Sequence, residues 1–245
     1  MRPIAGLHPR GTGSLIFFKS SKNWDSHVSA AETVSRGAGF MALRDRIVEL
    51  AAPQANERIV DVGSGTGLLA LAIAERSGHI WAIDSSRAMG DYLRVKASSA
   101  GFTNIEPVFA SASSLPLVDN VADAVVSNYC MHELRDEDKL AALAEAARVL
   151  KPGGRLVIGD MMFSVGVGEA RDRQVILDKI KLLAGRGLPG IWRIIKNAAR
   201  LLSGQWEHPA SAAWWREALA NAGFEQIEVE TLAHEGGIAA ARMPG

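Results

Sequence analysis

The residues best placed to do chemistry lie where an apolar run ends in a cluster of glycines. Ile59-Val60-Asp61-Val62-Gly63-Ser64-Gly65-Thr66-Gly67-Leu68 reads as a buried strand, a turn and the start of a helix. Glycine is needed where the backbone takes positive φ or approaches a ligand closely. The first turn of the following helix leaves N–H groups free for an anionic group. On the first strand of a doubly wound sheet, such a turn lies where these folds bind nucleotides. The glycines at 63, 65 and 67 do not have the G-x-G-x-x-G spacing of a dinucleotide site, and no Gly-Lys-Ser/Thr follows to cradle a phosphate. Asp84 ends the next apolar run, at a suitable distance along the chain to hydrogen-bond a ribose diol. The competing reading is a tight turn plus a solvated aspartate; the pair together favours a nucleoside-bearing ligand.

Around this turn, short strand-like runs alternate with helical stretches. Strands are expected at Arg58–Val62, His79–Ile83, Ile105–Phe109, Ala122–Ser127, Arg155–Asp160, Glu225–Glu230 and Gly236–Arg242. Helices are expected at Leu68–Arg76, Arg87–Ala100, Asp136–Leu150 and Ser211–Asn221, with Lys151-Pro152-Gly153-Gly154 ending the third of these. The alternation predicts an α/β, doubly wound, mostly parallel, Rossmann-like sheet of seven strands. Residues 1–50 stand outside it as an N-terminal helical extension or lid, helical from about Ser29 to Leu50. Residues 51–245 form the main domain, with a helical cap inserted at about 161–209.

At these residues the chain resembles the class I S-adenosylmethionine (SAM)-dependent methyltransferases. Their glycine-rich first motif is matched by Asp61-Val62-Gly63-Ser64-Gly65-Thr66-Gly67 and their acidic second-strand end by Asp84. The likeness continues through Ala110–Pro116, Ala122–Asn128 and Arg148–Leu156, and the branch it suggests is the small-molecule, ubiquinone-biosynthesis-like one. The resemblance implies SAM as cofactor. Gly63, Ser64, Gly65 and Gly67 would then line its methionine portion, with Asp61 holding the amino group. Asp84 would take the ribose, Ser85 and Met89 would flank the adenine, and Ser111 and Ala112 would meet its edge. Asn128 would face the methionine part from the fourth strand. The family usually has Gly-Asp-Ala where this chain has Ala110-Ser111-Ala112, so a serine replaces the aspartate that commonly contacts the adenine amino group.

Methyl transfer from a sulfonium is an in-line displacement, so the protein's main task is alignment. A neutral nucleophile must also lose a proton, which can call for a base. Within Asn128-Tyr129-Cys130-Met131-His132-Glu133-Leu134, His132 is the candidate base, its ordinary pKa lying near neutrality. The structural alternative, that His132 fixes its loop, carries more weight. Tyr129 would orient a substrate or simply pack. No metal-ligand spacing is seen among the histidines, and the single cysteine, Cys130, excludes an intramolecular disulfide and argues against a cysteine-based zinc site.

Nucleic-acid enzymes acting on amino groups carry an Asn/Asp-Pro-Pro-aromatic motif where this chain has Ser127-Asn128-Tyr129-Cys130. With a formal net charge of zero as well, no nucleic-acid partner is expected and a small-molecule acceptor is favoured. The two alternatives are a nucleic-acid methyltransferase and a catalytically inactive SAM-binding partner protein. Between Arg171 and Leu202 there are eight basic residues against two acids, interleaved with Leu, Ile and Trp192. A lid helix with a solvated basic face explains this. The sharper reading adds contact with an anionic membrane and a lipid-like acceptor, with Leu15–Phe18, Lys19 and Lys22 on the same surface. Trp24, Trp192, Trp206, Trp214 and Trp215 would line its pocket. No run is long enough to span a bilayer, so the expected location is cytoplasmic with peripheral membrane contact left open. The sequence does not set an oligomeric state.

Overall fold

The computed structural model describes residues 24–164, 170–185, 187–189, 191–193, 195–196, 207–232 and 235–245. Leu15–Phe18, Lys19, Lys22, Arg200, Leu201, Leu202 and Trp206 lie outside the described residues. Seven strands are present: β1 (Arg58–Val62), β2 (His79–Asp84), β3 (Ile105–Phe109), β4 (Ala122–Asn128), β5 (Leu150–Met161), β6 (Glu225–Thr231) and β7 (Gly236–Arg242). They form one sheet in the order β3-β2-β1-β4-β5-β7-β6. The first five strands pair in parallel, and β7 runs antiparallel to both β5 and β6. This is the expected doubly wound α/β sheet.

The central strands are apolar along their length because both faces are covered. On one face, α2 (Ala38–Ala51), α3 (Leu68–Ile73) and α4 (Arg87–Ser99) pack Leu43, Ile47, Leu69, Ile73 and Leu93 onto the strands. On the other, α5 (Asp136–Val149) and α7 (Ala212–Asn221) contribute Leu143, Trp215 and Leu219. Strand order reverses between β1 and β4. The crevice beyond their carboxyl ends is where an open α/β sheet receives a ligand.

Three local differences from the sequence reading have physical causes. The helix expected from Ser29 to Leu50 is two helices, α1 (Val28–Ser35) and α2, because Gly37 takes an extended conformation and starts the second. That second helix is a structural layer as well as an extension. Gly159 on β5 has no side chain, and a Cβ there would sit 2.7–2.9 Å from Leu43 and Ile47, so α2 lies flat on the sheet. Lys151–Gly154 belongs to the start of β5, where the Gly153 N–H reaches Pro244 and Gly154 accepts from Met243. The C-terminal tail supplies the pairing that local sequence could not reveal.

Within the cap region, α6 (Ala170–Ala184) is described. Arg171, which composition placed among the surface cations, donates to the backbone carbonyls of Met162, Leu232 and Gly236. The neighbouring Asp172 is buried and accepts the Ser164 N–H. Among the described residues, Trp215 and Trp192 do not share a pocket as expected: Trp215 is in the core beneath the sheet, whereas Trp192 is 68% exposed.

Candidate active site

Asp61 and Ser127 stand near the ends of β1 and β4, and the backbone beyond β1 turns sharply. Gly63, Gly65 and Gly67 all have positive φ, between 50° and 87°. The first and last are also forced by contact: a Cβ on Gly63 would lie 2.2 Å from Cys130 Sγ, and one on Gly67 would lie 2.2 Å from Leu93 Cδ1. The Gly63 and Ser64 N–H groups donate to the Ile83 carbonyl. Asp84 then clamps the turn, accepting the Gly65 N–H on one carboxylate oxygen and the Ser86 N–H on the other, both at 2.8 Å. The two features singled out in the sequence are thus physically one unit.

Several polar atoms at this crevice are buried without a hydrogen-bond partner among the described residues. They are Asp61 Oδ2, Ser64 Oγ and both amide atoms of Asn128. Leaving such groups unpaired is costly. Burial, opposed by the Ala70 N–H in the first turn of α3 and helped by a smaller push from Asp84, raises the Asp61 pKa to about 7. Burial raises Asp84 as well. An acid, a hydroxyl and an amide left unpaired in one place fit the ammonium and carboxylate of an amino-acid-like ligand.

The residues expected around adenine are placed differently from one another. Met89 is buried in α4, Ser85 is exposed, and Ala112 is half-buried. Ser111 is exposed, and its hydroxyl is engaged with Ser113, accepting the Ser113 N–H and meeting its Oγ at 2.9 Å. Sequence reasoning missed Asp25 and Ser86. Ser86 caps α4 by accepting the Met89 N–H, and donates its own hydroxyl to Asp25 Oδ1 at 2.6 Å. Asp25 also accepts the Ala88 N–H, which brings the N-terminal segment onto the rim of the crevice. No sequence signal links positions 61 residues apart.

On the other side, Tyr129 follows β4 at φ +52° and stacks on Phe40 of α2, with centroids 4.2 Å apart. Burial, and then the charges of Glu235 and Asp160, push its phenol pKa upward. Burial likewise holds the Cys130 thiol far above its ordinary value, so it is no nucleophile at neutral pH. His132 has the contacts of a loop-fixing residue. Its Nδ1 lies 2.6 Å from Asp160 Oδ1, its backbone N–H donates to Asp160 Oδ2 at 3.0 Å, and its carbonyl accepts from His208 at 2.6 Å. Burial pulls the imidazole pKa down, but the Asp160 carboxylate more than offsets this and the net direction is upward. Asp160, Glu133 and Glu207 were not expected at the site. Glu207 comes from 75 positions away, so the absence of metal-ligand spacing in the sequence did not reveal the cluster it forms with His132 and Glu133.

Comparison with known proteins bears on this arrangement. Residues 59–154 match the family model described as a methyltransferase domain. The chain is similar to a ubiquinone/menaquinone biosynthesis C-methyltransferase of Vibrio cholerae, 35% identical over 115 residues, 45% of this chain and 44% of that protein. It is similar to a demethylmenaquinone methyltransferase of Clavibacter sepedonicus, 40% identical over 107 residues, 44% of this chain and 42% of that protein. The chain therefore spans less than half the length of these curated relatives. Among solved structures, a putative S-adenosyl-L-methionine-dependent methyltransferase of Methanococcus maripaludis superposes with a TM-score of 0.62 at 23% identity, covering 91% of this chain and 95% of that one, which shows the shared fold. Residues 59–154 thus match a methyltransferase domain, carried on a sheet whose fold is shared with the Methanococcus maripaludis structure.

Proposed function

We propose that this protein transfers the methyl group of SAM to a small, apolar or amphiphilic acceptor. The observation that carries the reading is the set of unpaired buried atoms on Asp61, Ser64 and Asn128, set against a glycine turn clamped by Asp84. Asp61 and Asn128 would bind the amino-acid end of the cofactor, with Gly63–Gly67 providing close backbone approach. Asp84 would take the ribose hydroxyls with the lone pairs that its two backbone contacts leave unused. Ser85, Met89, Ser111 and Ala112 would border the adenine. When bound, SAM supplies an electrophilic methyl carbon on a sulfonium. Alignment of the acceptor falls to the opposite wall, where Tyr129, held by Phe40, and the loop fixed by His132 face it.

The apolar acceptor is supported by the names of the similar proteins, which refer to quinones, and by the cap. Seven of the eleven large apolar side chains exposed among the described residues lie between Leu177 and Ile195. Exposed Arg173, Lys181, Arg193 and Lys196 lie beside them. Such a surface suits an anionic membrane presenting a lipid-like acceptor. Among the described residues no helix is long and apolar enough to cross a membrane.

Calorimetric titration with SAM tests the central claim. The unaltered chain is expected to bind, and Asp84→Ala to lose at least tenfold in affinity through the ribose contact and the loosened turn. Equal affinity in the two proteins would remove the ribose assignment; no binding by the unaltered chain would end the methyltransferase reading.

A further inference from the structure

We infer that His132, Glu133 and Glu207 form a binding site for a divalent transition-metal cation on the acceptor side of the crevice. One ligand atom from each of the three residues lies within 4.8 Å of the other two. His132 Nε2 is 3.8 Å from Glu133 Oε1. The 3.8 Å separation is somewhat longer than the edge of a coordination polyhedron built on bonds of about 2.0–2.2 Å, so a cation would draw the groups inward.

Three devices assemble the cluster. The short 3-10 turn Met131–Glu133 sets His132 and Glu133 in succession. The hydrogen bond from the His208 N–H to the His132 carbonyl, 2.6 Å long, brings Glu207 beside that turn. Asp160, only 1% exposed, fixes the ring. An ionised carboxylate only accepts, so the 2.6 Å contact places a proton on Nδ1 and leaves Nε2 as the nitrogen on the side of the two glutamates. A carboxylate behind a histidine, setting its tautomer and raising its basicity, is the usual outer shell of a metal-binding imidazole.

One imidazole nitrogen with two carboxylate oxygens and open positions suits Mn²⁺, Fe²⁺ or Zn²⁺ better than Ca²⁺, which prefers an all-oxygen shell.

The consequence for the acceptor rests on the methyl-transfer reading. An acceptor hydroxyl placed on the cation would lose its O–H proton to water while its oxygen bonds to the metal, with no change in oxidation state. The acceptor is then a hydroxyl compound whose oxygen becomes the nucleophile or activates an adjacent carbon, and His132 acts as a ligand with no need to serve as the base.

Titration of the full chain with Mn²⁺, followed by the loss of the free-ion electron paramagnetic resonance signal, tests the site. One saturable ion per chain is expected, with affinity at least tenfold lower in Glu207→Gln and in Glu133→Gln. SAM affinity in Glu207→Gln, measured separately, should be unchanged and reports that the variant is folded. His132→Ala is the less useful variant because it also strips Asp160 of its partner. No saturable binding of Mn²⁺ or Zn²⁺, or binding unaffected by both glutamate substitutions, overturns the site. Metal binding without SAM binding would leave it standing and remove the methyl-transfer reading instead.

Discussion

Asp61 is placed where an ionised carboxylate is unfavourable for folding. It is almost fully buried, has one unpaired oxygen, and titrates near 7 against an ordinary value of 3.8. Because the folded-state pKa lies above that of the unfolded carboxyl, stability falls as pH rises from about 4 through about 7. Asp84, whose charge also raises Asp61, is the acidic neighbour in this effect. A ligand ammonium would reverse the balance by giving the ionised form a partner. Asp61→Asn, which keeps an acceptor for the Ala70 N–H, is therefore expected to stabilise the ligand-free protein at pH 8 by on the order of 2–4 kcal/mol while weakening SAM binding at least tenfold. Thermal melts at pH 5 and pH 8 check the first part: the gain should shrink at the lower pH. In the unaltered protein, calorimetry should find SAM affinity declining as pH drops below about 7. A pH-independent affinity would argue against the ammonium contact.

At the scale of elements, α2 is the least expected participant. It reads as part of an extension, yet Leu43 and Ile47 are fully buried on Gly159 of β5, and Phe40 from the same helix supports Tyr129. It therefore joins the sheet layer to the Tyr129 side of the crevice. Leu43→Ala should cost about 2–5 kcal/mol, the range for a large-to-small change in a packed core, measured by urea denaturation. A loss below about 0.5 kcal/mol, typical of surface changes, would show that the helix is a detachable lid. The α4 N-terminus shows the same kind of dependence on distant sequence, since Asp25 and Ser86 together hold the start of that helix.

For the whole molecule, a formal net charge of zero conceals an uneven distribution. The exposed apolar groups of the cap share their segment with Arg193 and Lys196, which are exposed as well. If this surface meets an anionic bilayer, each cation near it contributes roughly 1 kcal/mol. Replacing Arg193 and Lys196 together with glutamine should then weaken binding to phosphatidylserine-containing vesicles by about 30-fold, and added salt should weaken binding of the unaltered protein. Co-sedimentation measures both. Absence of vesicle binding by the unaltered chain disposes of the membrane surface.

The strand–helix alternation, the glycine turn and Asp84 were readable because each depends on interactions close along the chain. Period, backbone conformation and a strand-end acid all leave local marks. The same holds for most element boundaries between Arg58 and Val149. What local sequence could not carry was convergence. Asp160 behind His132, Glu207 beside it, Asp25 on Ser86 and α2 against Gly159 join residues far apart in the chain. Those partnerships exist only once the sheet order has brought strand ends and returning segments together, so tertiary packing alone decided which side chains face one another across the crevice.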